Sequence, residues 1–238
     1  MKNVIIICEG QSEQIFIRNL IERKLDLSKV SFGCMKLQGQ KEEQVPYEHT
    51  TDNSSLKIII LNAQNDERVL SVIKDKYQYF NSQYNLIIGL RDMYSESYPE
   101  REVDHRINLK IKKNIRRQIR TFDLNRKVRF FFMIMEFESW LLSLENTLTE
   151  YIFGKTGEIP SIYPEPEKIF RPSLVIKSIL GKYELTYRKH YSETQSILSC
   201  FQDEDLQSVI KGKKSASFQL FLRYCRRICS ESTINHVA

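Results

Sequence analysis

Three apolar runs in this sequence end on acids. "VIIICEG" delivers Glu9, "LIIGLRD" delivers Asp92, and "RFFFMIMEFE" delivers Glu136 and Glu138. Carboxylates gathered from distant parts of a chain repel one another unless a cation neutralises them. A hard divalent ion does so with few ligands: magnesium takes oxygen donors, keeps several waters and needs one or two carboxylates. Paired ions of this kind hydrolyse phosphodiesters by activating water and stabilising the leaving oxygen. Glu13, four residues after Glu9, either joins such a site as a ligand or base or complements the dipole of the helix it opens.

These acids need strands that share a direction. Lys2 to Cys8, Val30 to Leu37, "LKIIILN", "YNLIIGLRD" and "KVRFFFMIME" read as strands, most of them buried. Between them, Ser12 is placed to cap a helix running to about Lys24, and Gly10 to give the tight turn before it. "DERVLSVIKDKYQYF" and "FESWLLSLENTLTEY" each have helical periodicity, and Trp140 and Leu141 read as core anchors. Residues 38 to 55, with Pro46 and Asp52-Asn53, read as a loop. Strands alternating with helices imply parallel pairing. In such sheets ligands bind beyond the carboxyl ends of the strands, where these acids emerge.

The expected architecture is therefore α/β over residues 1–148, a mostly parallel sheet flanked by helices. The turn-dense stretch from Gly154 to Pro172 marks a boundary, and three helices follow in a C-terminal helical appendage, 149–238, packed on the sheet domain.

A second feature concerns substrate. In residues 104 to 122, Ile107, Ile111, Ile115 and Ile119 make a buried stripe. Lys112, Arg116 and Arg120 share that spacing, with Lys113 and Arg117 beside them, and no acid interrupts the run from Lys110 to Arg120. Pairing within the helix cannot neutralise it, so it is either a solvated face or a phosphate-binding one. "YRKH" adds a second basic cluster around Lys189.

Composition sets bounds. The 238 residues are 41% hydrophobic and 28% charged with a formal net charge of +6, as for a globular protein able to meet an anionic partner. Five cysteines without an export signal argue against a disulfide framework. No run approaches the roughly 18 apolar residues of a membrane span, so the chain reads as cytoplasmic without a membrane partner. Phosphate-binding glycine loops and nucleophile elbows are missing, which argues against ATP hydrolysis or serine chemistry by this chain.

"CEGQSEQIF" resembles the E-G-x-x-E opening of the Toprim fold, shared by topoisomerases, primases and the overcoming-lysogenization-defect nucleases. In that fold a glutamate after the first strand and a later D-x-D bind magnesium or manganese. Glu9 fits the glutamate and Asp92 the first aspartate, while Tyr94 stands where the second would be. "RDMYSESYP", "MEFESWLL" and "KKSASFQLFL" resemble, in that order, motifs of a bacterial Toprim-related family of uncharacterised, defence-associated proteins with D-x-Y and E-F-E segments. The resemblance implies a Toprim-like sheet and a Mg2+- or Mn2+-dependent nuclease acting on DNA or RNA. It further implies anti-phage defence beside an ATPase partner. Glu9, Asp92 and Glu136 or Glu138 would be metal ligands, with Lys112, Lys113, Arg116, Arg117, Arg120 and Lys189 on nucleic acid. The departure at Tyr94 leaves a second outcome open: a non-catalytic subunit of the same fold that binds an ATPase or a nucleic acid.

Overall fold

A computed structural model describes residues 1–39, 41–65, 68–93, 103–162, 165–212 and 214–234, with side chains as far as 228. In chain order the first elements are β1 (Lys2–Cys8), α1 (Gln11–Lys24), β2 (Val30–Gln38), β3 (Lys41–His49) and β4 (Leu56–Asn62). Then come α2 (Arg68–Asp75), α3 (Tyr77–Gln83), β5 (Leu86–Met93), α4 (His105–Phe122) and β6 (Val128–Ile134). The remainder is helical: α5 (Phe137–Leu142), α6 (Glu145–Thr156), α7 (Pro172–Gly181), α8 (Tyr191–Ser199), α9 (Asp203–Lys211) and α10 (Ala216–Ile234). The fold is α/β, a mostly parallel sheet flanked by helices and followed by further helices.

The strand order is β3-β2-β4-β1-β5-β6. β1 lies parallel to both β4 and β5, and β2 parallel to β4. The isoleucine runs are the reason: Val4 to Ile7 are all at most 4% exposed, as a strand covered on both faces requires. Gly89, in the middle of β5, is needed for space, because a Cβ there would stand 2.5 Å from the Phe130 ring.

The chain forms two compact units. One takes Met1–Arg91, Leu109–Phe131 and the stretch from Tyr224; the other takes Asp92–Asn108 and Phe132–Arg223. The expected division at residue 148 follows chain order, whereas these units interleave.

Two elements differ from expectation for identifiable reasons. Residues 38 to 55 are not all loop: β3 pairs antiparallel with β2, turning at Gly39 with φ 63. "KEEQVPYEH" hides as a strand because it is an edge, where charge and a proline are tolerated. The helix after β6 breaks into α5 and α6, and the acid-rich α9 explains the break. Asp205 of α9, 1% exposed, accepts from the backbone N–H of Asn146 (2.9 Å) and Thr147 (2.7 Å), so it caps a new helix at Glu145.

Within the second unit Trp140 stacks on Phe218 with ring centres 4.8 Å apart and donates from Nε1 to Ser217 Oγ at 2.7 Å. Glu167 accepts from Ser215 Oγ, Ser217 N and Ser217 Oγ, closing the amino end of α10. The "EFESW" and "SASF" segments thus meet as a core joint.

Candidate active site

The first strand–helix junction is built for a buried carboxylate. Parallel pairing sets Cys8 opposite Leu90. Glu9 follows Cys8, Arg91 follows Leu90, and Arg91 Nε stands 3.5 Å from Glu9 Oε1. Glu9 is 3% exposed, and a charge at that depth requires a cation against it.

The junction differs from expectation in two details. α1 starts at Gln11 with Gly10 as its N-cap, so Ser12 is inside the helix rather than capping it. Gly10 has an extended backbone (φ −139, ψ −173), so it makes no special turn. A Cβ at this position would stand 2.9 Å from Glu13 Oε2, so the glycine leaves that carboxylate its place. Glu13 is therefore the third helical residue, 7% exposed and folded back over the helix start. There the helix dipole favours an acid. Gln14 fixes the helix, donating from Nε2 to Met35 O (2.8 Å) and Ile60 O (2.9 Å). Asp92 lies in β5 one residue beyond Arg91, and Tyr94 falls outside the described residues.

In the second unit, Glu136 and Glu138 flank the start of α5. Glu136 is its N-cap, Phe137 is buried in the core, and Glu138 lies in the first turn, 2% exposed. Both carboxylates converge on Lys189, whose Nζ is 3.2 Å from Glu136 Oε1 and 3.2 Å from Glu138 Oε1. Tyr187 donates its O–H to Glu138 Oε1 at 2.9 Å, and Ser173 donates its backbone N–H to Glu136 Oε2 at 3.0 Å. Lys189, expected on nucleic acid, is thus engaged by acids.

The two acids differ electrostatically. Burial alone would raise the Glu136 carboxyl, but Ser173 and Lys189 outweigh it and hold it below the ordinary carboxylate value. Glu138 lies deeper; burial wins, aided by the Glu136 charge, and its carboxyl is held above that value despite Lys189. Burial would lower Lys189, yet the charges of Glu138 and Glu136 raise it.

Backbone strain concentrates here. Six non-glycine described residues have positive φ, and three of them adjoin this cluster: Met135 (φ 67) before Glu136, Arg171 (φ 57) before the start of α7, and Lys189 itself (φ 59). Such conformations cost about 1–3 kcal/mol each and persist where surroundings enforce them, a pattern concentrated at functional sites.

The basic helix is α4. Of the expected stripe, Ile115 and Ile119 are buried and Ile107 and Ile111 half-buried, while Lys113, Arg116, Arg117 and Arg120 are exposed and Lys112 half-buried. Lys113, Arg116, Arg117 and Arg120 make no ion pair among the described residues.

Carboxylate oxygens are the donors a hard divalent ion takes, and Glu136 and Glu138 already converge on one cation centre, so the residues fit such an ion in kind. As they stand, no three His, Cys, Asp or Glu side chains among the described residues are gathered closely enough to hold it together. The position between Glu136 and Glu138 is held by an ammonium instead.

A family model described as a domain of unknown function, DUF4276, matches residues 8–224. The chain belongs to that family. Comparison with curated proteins and with solved structures finds no match. The DUF4276 match begins at Cys8, beside Glu9, and ends at Tyr224, so it takes in every residue of both acid clusters and of α4.

Arg91, Tyr187 and Ser173 are partners of these acids that the sequence pattern does not single out. Arg91 had a local signal, since it precedes Asp92 in "LRD". Ser173 follows a proline at a helix start, where free N–H groups attract a carboxylate. Tyr187 carried no such signal. Among the described residues no helix is long and apolar enough to cross a membrane.

Proposed function

We propose that this chain is a Mg2+- or Mn2+-dependent nuclease of Toprim-like design, working with an ATPase partner in anti-phage defence. The observation that carries the reading is the burial of carboxylates just beyond strand ends: Glu9 after β1 is 3% exposed and Glu138 after β6 is 2% exposed. Burying charges in this way commonly costs stability, so a use at the site would account for keeping them. The motif resemblance and the exposed cations of α4 support the same reading.

The proposed ligand residues are Glu9, Asp92 and Glu136 or Glu138. When bound, the ion would supply a hydroxide at neutral pH and polarise the phosphoryl group. Glu13, held over the start of α1, either adds a ligand oxygen or takes the proton from water. Lys113, Arg116, Arg117 and Arg120 would hold the phosphate backbone, a task common to DNA and RNA.

The test is cleavage of labelled DNA and RNA in Mn2+. Alanine at Glu9 or Asp92 should abolish it with the melting temperature retained. Undiminished cleavage by the double variant refutes the assignment. Lys189 between two of the expected ligands favours a second reading, a non-catalytic subunit that binds an ATPase or nucleic acid. A melting temperature raised by Mn2+ through Glu9 supports the nuclease; a flat response with tight ATPase binding supports the subunit.

A further inference from the structure

Lys189 holds a position unusual for a surface lysine. Its ammonium is equidistant, at 3.2 Å, from oxygens of Glu136 and Glu138. Its segment is fastened on both sides, since Tyr187 donates to Glu138 and the backbone N–H groups of Arg188 and His190 both donate to Glu193 at the start of α8. Its own backbone is held left-handed, at φ 59. Yet the side chain remains 46% exposed, against 3% for Glu138 and 21% for Glu136. Of the three charged groups, the lysine is the most exposed.

We propose that Lys189 is a built-in occupant of the cation position between Glu136 and Glu138, and that a divalent ion must displace it to bind there. The inference rests on the metal reading above and adds the device that controls loading. An ammonium neutralises one of the two carboxylates and offers only hydrogen bonds, whereas a divalent ion neutralises both and coordinates their oxygens directly. The exchange becomes more favourable when the released lysine meets another anion. A phosphodiester backbone is one. Metal and polyanion therefore strengthen each other's binding, by the same factor in each direction.

The test is Mn2+ titration by calorimetry of the wild type and Lys189→Met, each first shown to melt cooperatively. Removing the competitor should tighten Mn2+ binding by roughly tenfold, and Glu138→Gln in the same background should abolish the gain. Clear binding by the wild type with equal or weaker binding by Lys189→Met overturns the displacement and leaves the metal reading standing. No Mn2+ binding by either protein overturns both. A second measurement uses the wild type alone, should Lys189→Met fail to fold. In protein carrying 13C-lysine, with the Lys189 signal assigned through Lys189→Arg, saturating Mg2+ should shift that signal toward the position of a solvated lysine. An unmoved Lys189 signal at saturation overturns the proposal.

Discussion

Neutralising Glu136 and neutralising Glu138 should have opposite effects on metal-free stability, although the two lie two residues apart on one lysine. Glu136→Gln weakens the charged acceptor of the Ser173 N–H at the start of α7, a helix-capping contact. Losing such a cap costs about 0.5–2 kcal/mol, and the side chain is only 21% exposed, so solvent screens little of it. A loss of about 1–2 kcal/mol lowers the melting temperature by roughly 2–8 °C in a chain of this length. Glu138→Gln removes a charge that burial already opposes. The amide oxygen still accepts from Tyr187, and Lys189 keeps Glu136, so the expected change lies between nothing and a gain of about 1 kcal/mol. Urea unfolding of both variants at pH 7 in EDTA measures this. The pH dependence has a fixed sign. Glu136, with its folded value depressed, contributes stability present above its ordinary value of 4.5 and lost as pH falls through the folded value. The gap between wild type and Glu136→Gln therefore closes on acidification. Glu138, with its folded value raised, contributes stability present below 4.5 and lost as pH rises through that folded value. Glu138→Gln therefore gains on the wild type as pH climbs. Greater damage from Glu138→Gln than from Glu136→Gln, or a Glu136→Gln gap that widens below pH 4.5, refutes the reasoning.

Gly10→Ala is expected to change stability by less than about 1 kcal/mol, because the extended backbone accepts any residue and the clash is with the far end of a flexible side chain. It should displace Glu13 and reduce cleavage; full activity would show that the Glu13 position is immaterial. Replacing Arg116, Arg117 and Arg120 by alanine should flatten the salt dependence of duplex binding by about 2.7 in log–log slope, and an unchanged slope would take α4 off the phosphates. Ser217→Ala removes the hydroxyl that accepts from Trp140 Nε1 and donates to Glu167 and should cost about 1–3 kcal/mol in urea; a neutral effect would mean that this hydroxyl contributes nothing to the joint.

Much of the sheet could be read directly from the sequence, because "VIIIC" is buried on both faces and "LKIIILN" is buried at all but Lys57 and the half-buried Ile59. β3 could not, since an edge strand is selected for charge and looks like a loop. α9 was obscured in the same way: three acids in its first turn look like solvent-loving chain, yet Asp205 is a buried cap for α6, a partnership of residues 58 positions apart. The acids themselves were legible as strand-end residues. Their immediate partners were less so. The Glu9–Arg91 contact follows from register between β1 and β5, and register appears only once two strands are paired. That Lys189 sits between Glu136 and Glu138 depends on a strained loop of the helical region, which no local pattern announces. Gly10 was legible as a turn residue, but its backbone is extended and its missing Cβ instead leaves room for the Glu13 carboxylate, a distinction that spacing cannot make.

The most direct test of the central claim is a crystal grown with saturating Mn2+, read by anomalous scattering. Metal binding at the strand-end acids gives a peak about 2.1 Å from a carboxylate oxygen of Glu9 or Asp92, with Glu9 drawn off Arg91. Diffraction from the same crystals with no peak at either residue, and Glu9 still paired with Arg91, would contradict the claim.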